Sequence, residues 1–280
     1  MITSLQAALL GFLQGFTELF PVSSLGHSVL LPKLLGWNID QSSDQFVSFI
    51  VLTHLATALV LVAFFSKDWT RIVASTFRSL LSRRIDSMYG KIGWLLIIGT
   101  IPAGLIGLIF QKRLESLFDN PELVASVLVL NGILLYLAEY LRRRAPEGSE
   151  DDRAVAGMSY SQALFIGLAQ CLALIPGFSR TGATMTAGLR TGLSHADAAR
   201  FSFLLATPII LAAAVLKVPH VLHYRDGISA ALIGAACATV SAYFSIRFLV
   251  KYFETRTLKP FALYCILAGS VTLILLRLSA

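Results

Sequence analysis

The chain has 280 residues, of which 56% are hydrophobic and only 14% are charged. A soluble domain carries roughly a quarter charged residues, so this composition predicts a polytopic membrane protein. The formal net charge of +7 does not indicate a nucleic-acid partner, because the basic residues lie between apolar segments, as topology signals do in membrane proteins.

Six segments are long and apolar enough to cross a bilayer core, which takes about 20 residues. They lie near 46–66, 91–111, 123–141, 197–217, 228–249 and 259–278. Two further segments, 3–36 and 158–192, are each interrupted by proline and small polar residues. Interrupted backbone is tolerated in a membrane only where protein or a wet cavity surrounds it, so each predicts a re-entrant helical hairpin. The predicted fold class is an all-α polytopic membrane protein with six transmembrane helices and two re-entrant hairpins.

The two interrupted segments carry one sequence pattern. The first reads Gly11-x-x-Gln14, with a serine nine residues after the glutamine and a glycine three residues later, and the same pattern begins at Gly167. Residues 1–150 and 151–280 therefore each form one hairpin followed by three spans. Because three is odd, the second copy enters the membrane from the opposite side. The sequence predicts an inverted-topology repeat within one membrane domain, with the hairpin tips meeting near the midplane.

Loop charges predict the orientation. The loop 67–91 holds six basic and two acidic residues, which places it in the cytoplasm. The run Arg142–Arg144 falls on the same side, and the stretch 147–153 is the predicted linker between repeats. Counting spans then puts both termini outside the cell, with the first hairpin entering from outside.

Gln14 and Glu18 are four residues apart and share one face of a helix. An ionisable side chain within an apolar segment is costly and is a functional candidate by default. The alternative is a purely structural ion pair or an interfacial position. A carboxylate with an amide oxygen beside it could hold a hard divalent cation.

Each interruption is followed by a serine at the point where a helix restarts. Ser23 or Ser24 can cap the helix after Pro21, and Ser179 can do the same in the second hairpin. As caps alone, these serines would need no ligand. Arg180, however, follows Ser179 directly, and a guanidinium with two converging helix N-termini makes an anion site suited to phosphate.

Other polar residues are weaker candidates. His27 could act as general acid or base, as a nucleophile, or as a polar group packed under the tip. His54 and Gln170 could support the site or form hydrogen bonds between helices.

Two segments resemble the signatures of a known family. QGFTELFPVSSLGH (14–27) resembles the N-terminal signature of the undecaprenyl-diphosphatase family, the bacitracin-resistance membrane phosphatases. PGFSRTGAT (176–184) resembles the second signature of that family. The resemblance extends over the whole chain in length, hairpin placement and number of spans.

The resemblance implies an activity, a cofactor and a location. The activity is hydrolysis of undecaprenyl diphosphate to undecaprenyl phosphate and inorganic phosphate, at the outer face of the bacterial plasma membrane. This recycles the lipid carrier of cell-wall synthesis and confers bacitracin resistance. The implied cofactor is a divalent metal, Mg²⁺ or Ca²⁺.

The resemblance also implies residue roles. The family shows Glu or Gln at the position of Gln14, so a single carboxylate, Glu18, remains in this chain. The implied set is Glu18 and Gln14 for metal; Arg180, Ser179, Thr181 and Ser23 for substrate phosphate; Ser24, His27 and Glu18 for catalysis; and His54, Gln170 and Thr184 in support.

Several alternatives stay open at this point. The nucleophile is Ser24, His27 or water. An inverted-repeat transporter or flippase of an anionic lipid has the same layout, although it has little use for Glu18, Ser24 and His27 together. The expected partners are the polyprenyl diphosphate substrate and membrane lipid, without nucleic acid, and a homodimer is left open as an assembly.

Overall fold

The computed structural model describes residues 2–41, 43–141, 153–223 and 228–278. Regular structure in these ranges is entirely helical. The α-helices are α1 (Ser4–Leu19), α2 (Ser24–Leu34), α3 (Asp44–Phe64), α4 (Ser66–Ser82), α5 (Met88–Glu115), α6 (Pro121–Tyr140), α7 (Arg153–Gly157), α8 (Tyr160–Gln170), α9 (Arg180–Arg190), α10 (His195–His223), α11 (Ile228–Thr255) and α12 (Lys259–Leu278). Short 3₁₀ helices follow α5 (Ser116–Asp119) and α8 (Cys171–Leu174). Arg142–Arg144 and the predicted linker up to residue 152 lie outside the described residues.

Among the described residues, six helices are long and apolar enough to cross a bilayer. These segments are Gln45–Phe64, Met88–Phe110, Pro121–Tyr140, His195–Lys217, Ile228–Thr255 and Lys259–Leu278. Each overlaps one of the predicted spans, so the all-helical, six-span prediction is confirmed. The protein is a multi-pass membrane protein by length and apolarity of its helices.

The two interrupted segments form two helix pairs, α1 with α2 and α8 with α9, whose local structure matches. The first residues of α1 and α8, Ser4 and Tyr160, are 156 residues apart, as are Ser24 and Arg180, which begin α2 and α9. Both α1 and α8 begin with a capping box, in which the N-cap hydroxyl and a glutamine three residues later bond reciprocally. Equivalent sequences therefore start equivalent helices.

The packing of the two pairs also corresponds. Helix α1 packs on α11 and α8 packs on α5. A Cβ atom on Gly11 would lie 2.2 Å from the carbonyl oxygen of Gly234, and one on Gly167 would lie 2.3 Å from that of Gly99. Both contacts are thus backbone against backbone, which only glycine permits. The inverted topology and the re-entrant insertion of the hairpins stay predictions.

Residues 67–91, treated above as a cytoplasmic loop, contain most of helix α4. Ile72 and Ser79 of this helix are buried, and Ser79 accepts a hydrogen bond from Trp94 Nε1 of α5 at 2.9 Å. The helix is not apparent as a span because ten of its 17 residues are charged or polar. Helix α4 is therefore an element that the predicted apolar segments do not include.

Candidate active site

The tips of the two hairpins are hydrogen-bonded to each other. Ser179 Oγ donates to the carbonyl oxygen of Phe20 at 3.3 Å, and Thr181 Oγ1 donates to that of Glu18 at 3.3 Å. Both acceptors lie where α1 ends, so they have no partner further along that helix. The structure thus brings the two tips into contact, while their position near the membrane midplane stays a prediction.

Asn131 of α6 connects the same two tips. Its Nδ2 donates to the carbonyl oxygen of Pro21 at 3.1 Å, and its Oδ1 accepts from the backbone N–H of Ser179 at 3.0 Å. The side chain is fully buried. Sequence analysis did not single out Asn131, although an amide within an apolar span is a recognisable signal of hydrogen bonding between helices.

Glu18 lies at the centre of the site, and three polar side chains surround one of its carboxylate oxygens. Gln14 Nε2 lies 3.0 Å and His54 Nε2 3.2 Å from Oε2, and the hydroxyl of Ser24 donates to the same atom. The other oxygen, Oε1, lies 3.6 Å from Arg180 Nη1. The glutamate side chain is only 5% exposed. Burial of this charge is offset by the surrounding donors and the guanidinium.

A small cleft lies in front of this carboxylate. The cleft is lined by residues of both hairpins and by one residue of α3, His54. The lining residues are Glu18, Ser23, Ser24, Leu25, His54, Ala173, Phe178, Ser179 and Arg180. The first turns of α2 and α9 both contribute to it, and their first backbone N–H groups have no partner within the helix. The cleft thus has two helix N-termini and one guanidinium, which favour an anion.

The caps of these two helices are the predicted serines. Ser23 Oγ accepts from Gly26 N–H and Ser179 Oγ accepts from Gly182 N–H, both at 3.1 Å. Ser23 has a φ of +69°, a left-handed conformation that few residues other than glycine adopt. Such strain is found where surrounding structure holds a functional turn in place.

His27 is placed behind the first tip and does not line the cleft. Its Nδ1 lies 2.6 Å from the carbonyl oxygen of Ser23, so Nδ1 is the donor in that contact. Its Nε2 lies 2.7 Å from Tyr264 Oη, and the two rings stack with centroids 5.7 Å apart. The structure instead brings His54 to the carboxylate. The catalytic role of His27 stays a prediction.

Three further candidates lie at the edge of the site or away from it. Thr181 connects the tips, as described. Thr184 Oγ1 lies 2.5 Å from Ser202 Oγ, in the contact between α9 and α10. Gln170 Nε2 donates to the carbonyl oxygen of Gly99 at 3.4 Å, and its Oε1 is buried without a partner. Neither Thr184 nor Gln170 lines the cleft, and their supporting roles stay predictions.

The oxygen atoms at the site suit a magnesium or calcium ion better than a transition metal. No group of three His, Cys, Asp or Glu side chains arranged for a metal occurs in the described part of the chain. Gln14 Oε1, however, is buried without a hydrogen-bond partner beside Glu18. One carboxylate and one amide oxygen fit a hard cation that takes its remaining ligands from water and substrate phosphate.

The chain is similar to a known family along nearly its whole length. Residues 7–271 match the family described as bacitracin resistance protein BacA. The chain is 48% identical to undecaprenyl-diphosphatase 1 of Burkholderia pseudomallei (strain K96243), over 93% of this chain and 92% of the relative. It is 46% identical to undecaprenyl-diphosphatase of Mycolicibacterium paratuberculosis (strain ATCC BAA-968 / K-10), over 99% of this chain and 98% of the relative. These matches place the chain in the BacA family of bacitracin resistance proteins.

Proposed function

We propose that this protein hydrolyses undecaprenyl diphosphate to undecaprenyl phosphate and inorganic phosphate, and so recycles the lipid carrier of cell-wall synthesis. The observation that carries the proposal is the convergence of Glu18, Ser24 and Arg180 on one cleft. The two tips that supply them are joined by hydrogen bonds. The names of the relatives support the same substrate and reaction.

The phosphate groups would bind between the two helix N-termini. Arg180 lines the cleft and 22% of its side chain is exposed, so the part of the guanidinium that does not face Glu18 can donate to a phosphate oxygen. The first backbone N–H groups of α2 and α9 add further donors on either side, next to the caps Ser23 and Ser179. These fixed donors would stabilise the charge that develops on the transferred phosphoryl group.

Ser24 has the arrangement of an activated nucleophile, because its hydroxyl donates to Glu18. In the proposed reaction, Ser24 Oγ forms a bond to the terminal phosphorus and its proton passes to Glu18. The bond from that phosphorus to the bridging oxygen breaks, and undecaprenyl phosphate leaves. Water then cleaves the phosphoserine and releases inorganic phosphate. Direct attack by a water held between Ser24 and Glu18 gives the same products and is the alternative.

Gln14 Oε1 and Glu18 would hold Mg²⁺ or Ca²⁺. When bound, such an ion neutralises charge on the diphosphate and favours departure of the lipid phosphate. Arg180 Nη1 lies nearest Oε1 of Glu18, whereas the Gln14 amide lies nearest Oε2. His54 Nδ1 faces the carbonyl oxygen of Ile50, and its Nε2 lies 3.2 Å from Glu18 Oε2, so an imidazolium at His54 would donate to the carboxylate and orient it.

The proposed location is the bacterial plasma membrane, with both termini outside and the cleft open to the outer face. The charge of the 67–91 segment supports this orientation. Polar headgroups would enter the cleft while the prenyl tail stays among the apolar outer surfaces of the spans. A homodimer stays a prediction.

The test is phosphate release from undecaprenyl diphosphate by the purified protein, with Mg²⁺, with Ca²⁺ and with a chelator. We expect metal-dependent release that falls by at least about a thousandfold in Arg180→Ala, since removal of an arginine from a phosphoryl-transfer site has effects of that order. Arg113→Ala, an exposed arginine at the end of α5, is the matched control. A folded protein that releases no phosphate with either metal would overturn the proposal.

Transport of an anionic lipid is the second candidate, favoured by the matching packing of the two hairpins on α11 and α5. It is separated from hydrolysis by measuring movement of undecaprenyl phosphate across vesicles with the inactive Glu18→Gln protein. Movement faster than in protein-free vesicles would show transport as an additional activity.

A further inference from the structure

Helix α4 has a surface that the proposed active site does not use. Four apolar side chains on one side of it point away from the protein, with 59–70% of their surface exposed. They are Val73, Phe77, Leu80 and Leu81, and they are called the α4 apolar stripe below. An exposed apolar stripe of this size on a water-facing helix would be unfavourable, so another apolar phase is expected to cover it.

A basic stripe runs along the same helix beside the apolar one. Lys67, Arg71 and Arg78 are all exposed, and Arg83 and Arg84 follow directly after the helix. At 100° per residue, the buried face with Ile72, the apolar stripe and the basic stripe each take about a third of the circumference. This three-sided arrangement is that of a helix with contacts to protein, hydrocarbon and anionic headgroups.

The acidic residue of the helix is already paired. Asp68 Oδ1 lies 3.0 Å from Arg200 Nη2 of α10, which attaches the start of α4 to the helical bundle. Arg71 Nη1 donates to Tyr89 Oη at 2.9 Å, on the first turn of α5. The carboxylate thus faces the protein and does not neutralise the basic stripe.

The position of α4 in the chain puts it at the membrane surface. Candidate spans end at Phe64, just before the helix, and begin at Met88, just after it. Two hydrogen bonds join the helices, from Arg71 to Tyr89 and from Trp94 to Ser79, and they connect positions about 12 Å apart along α4 with positions about 8 Å apart along α5. Helix α4 is therefore attached to the first two turns of α5, where that candidate span begins.

We propose that α4 is an interfacial helix whose occupant is the anionic lipid leaflet. The α4 apolar stripe inserts among the acyl chains, and Lys67, Arg78 and the arginines that follow bind the headgroups of anionic phospholipids. The basic stripe is complementary in charge to anionic headgroups, and α4 is continuous with two candidate spans, so both observations favour lipid as the occupant. A second copy of the chain would instead place one basic stripe against another.

The first experiment measures depth. Spin labels are attached at Phe77→Cys and, as the matched position on the basic stripe, at Arg78→Cys, after Cys171 and Cys237 have been replaced by alanine. The protein is placed in nanodiscs of phosphatidylcholine with phosphatidylglycerol. We expect the label at 77 to be accessible to oxygen and shielded from a water-soluble nickel chelate, with the reverse at 78. A label at 77 that the nickel chelate reaches, or that couples to a second label at short distance, would overturn the proposal in favour of water or of a second copy.

The second experiment measures lipid binding to the purified protein by native mass spectrometry with phosphatidylglycerol and phosphatidylcholine. We expect Arg78→Gln to weaken phosphatidylglycerol binding about fivefold, the effect of one basic residue at an anionic surface, and to leave phosphatidylcholine binding unchanged. Arg113→Gln removes an equally exposed charge elsewhere and is the control. Equal effects of the two variants, or no effect of Arg78→Gln, would overturn the proposal.

Discussion

The first hairpin tip, residues 20–24, and the second, residues 176–180, begin their following helices in the same way and differ in the next side chain. In both, a serine caps the helix through a glycine N–H at 3.1 Å. After the cap, the first tip carries Ser24 and the second carries Arg180. The hydroxyl and the carboxylate thus come from one hairpin, and the guanidinium comes from the other.

The tips also differ in where the backbone takes a positive φ. In the second tip it is Gly177, at +106°, where no side chain resists it. In the first it is Ser23 itself, at +69°, which costs about 1–3 kcal/mol. The comparison teaches that the repeat determines where the helices begin, whereas a few substituted positions determine the chemistry of each tip. The strained turn is the one that precedes Ser24.

The largest expected effect tests whether the tips act as one unit. Glu18→Gln keeps the shape of the side chain but removes the charge that faces Arg180, and we expect kcat/KM for phosphate release to fall at least about a thousandfold. The double variant with Arg180→Ala is expected to lose less than the product of the two single losses, because both groups serve one step.

Glu139→Gln is the control for loss of a buried carboxylate. Glu139 Oε1 accepts from Leu258 N–H at 2.6 Å, at the start of α12, and is not part of the cleft. Its activity per folded molecule should stay within a few-fold of the native value. Strictly multiplicative losses for Glu18 and Arg180 would mean that the tips act independently.

The next effect distinguishes a reacting serine from a capping serine. Ser24→Ala is expected to lower kcat at least about a hundredfold, as loss of a nucleophile or of its positioning bond does. Ser179→Ala removes a cap and the bond to Phe20, so we expect about 1 kcal/mol less stability and about tenfold lower activity at most. Phosphate release and thermal unfolding in detergent would be measured on both. The reverse order of the two activity losses would assign the reacting hydroxyl to the second tip.

The two glutamines of the repeat provide a smaller test. Gln14 contacts Glu18, whereas Gln170 contacts only the backbone of Gly99. Gln14→Ala is therefore expected to raise the metal concentration for half-maximal activity about tenfold, as loss of a ligand or of its positioning neighbour does. Gln170→Ala should leave that concentration unchanged. Titration of activity with Mg²⁺ and Ca²⁺ measures both, and equal shifts would argue against a metal held by the first hairpin alone.

The smallest expected effect concerns His27. Tyr264→Phe keeps the stacked ring but removes the hydroxyl that contacts Nε2, and we expect kcat to fall about fivefold with KM unchanged, since one such hydrogen bond is worth about 1 kcal/mol. Tyr243→Phe, on the exposed side of α11, is the matched control. Unchanged kcat in Tyr264→Phe would show that the orientation of His27 seen here does not matter for the reaction.

Much of the fold follows from local pattern. Apolar length predicts the six spans, and the serine caps and proline breaks predict where α2 and α9 begin, because these signals act within a few residues. Helix α4 was missed as an element, since its apolar residues are divided between a buried face and an exposed stripe. Hydropathy averaged along the sequence gives the same low value for a helix with polar residues between two apolar faces as for a loop of mixed composition.

The sequence predicted which residues form the site, but it predicted only some of the contacts between them. Glu18 and Arg180 stand out in the sequence because an ionisable group within an apolar segment is energetically costly and usually has a function. The direction of His27 depends on Tyr264, which is 237 residues away, and the joining of the tips depends on Asn131. Such contacts arise from packing between distant helices, so one sequence read locally does not reveal them.

The bonds that join the tips also impose an order on biosynthesis. The carbonyl oxygen of Pro21 accepts from a side chain made 110 residues later, and that of Glu18, in the last turn of α1, accepts from Thr181, made 163 residues later. At about 5–20 residues per second, the first hairpin waits roughly 8 to 33 seconds between the synthesis of Glu18 and that of Thr181. During that interval its polar turn must be solvated by water or shielded by the insertion machinery. A ribosome that stalls between the two halves would therefore leave the first tip without its partners from the second, the hydroxyl of Thr181 and the guanidinium of Arg180.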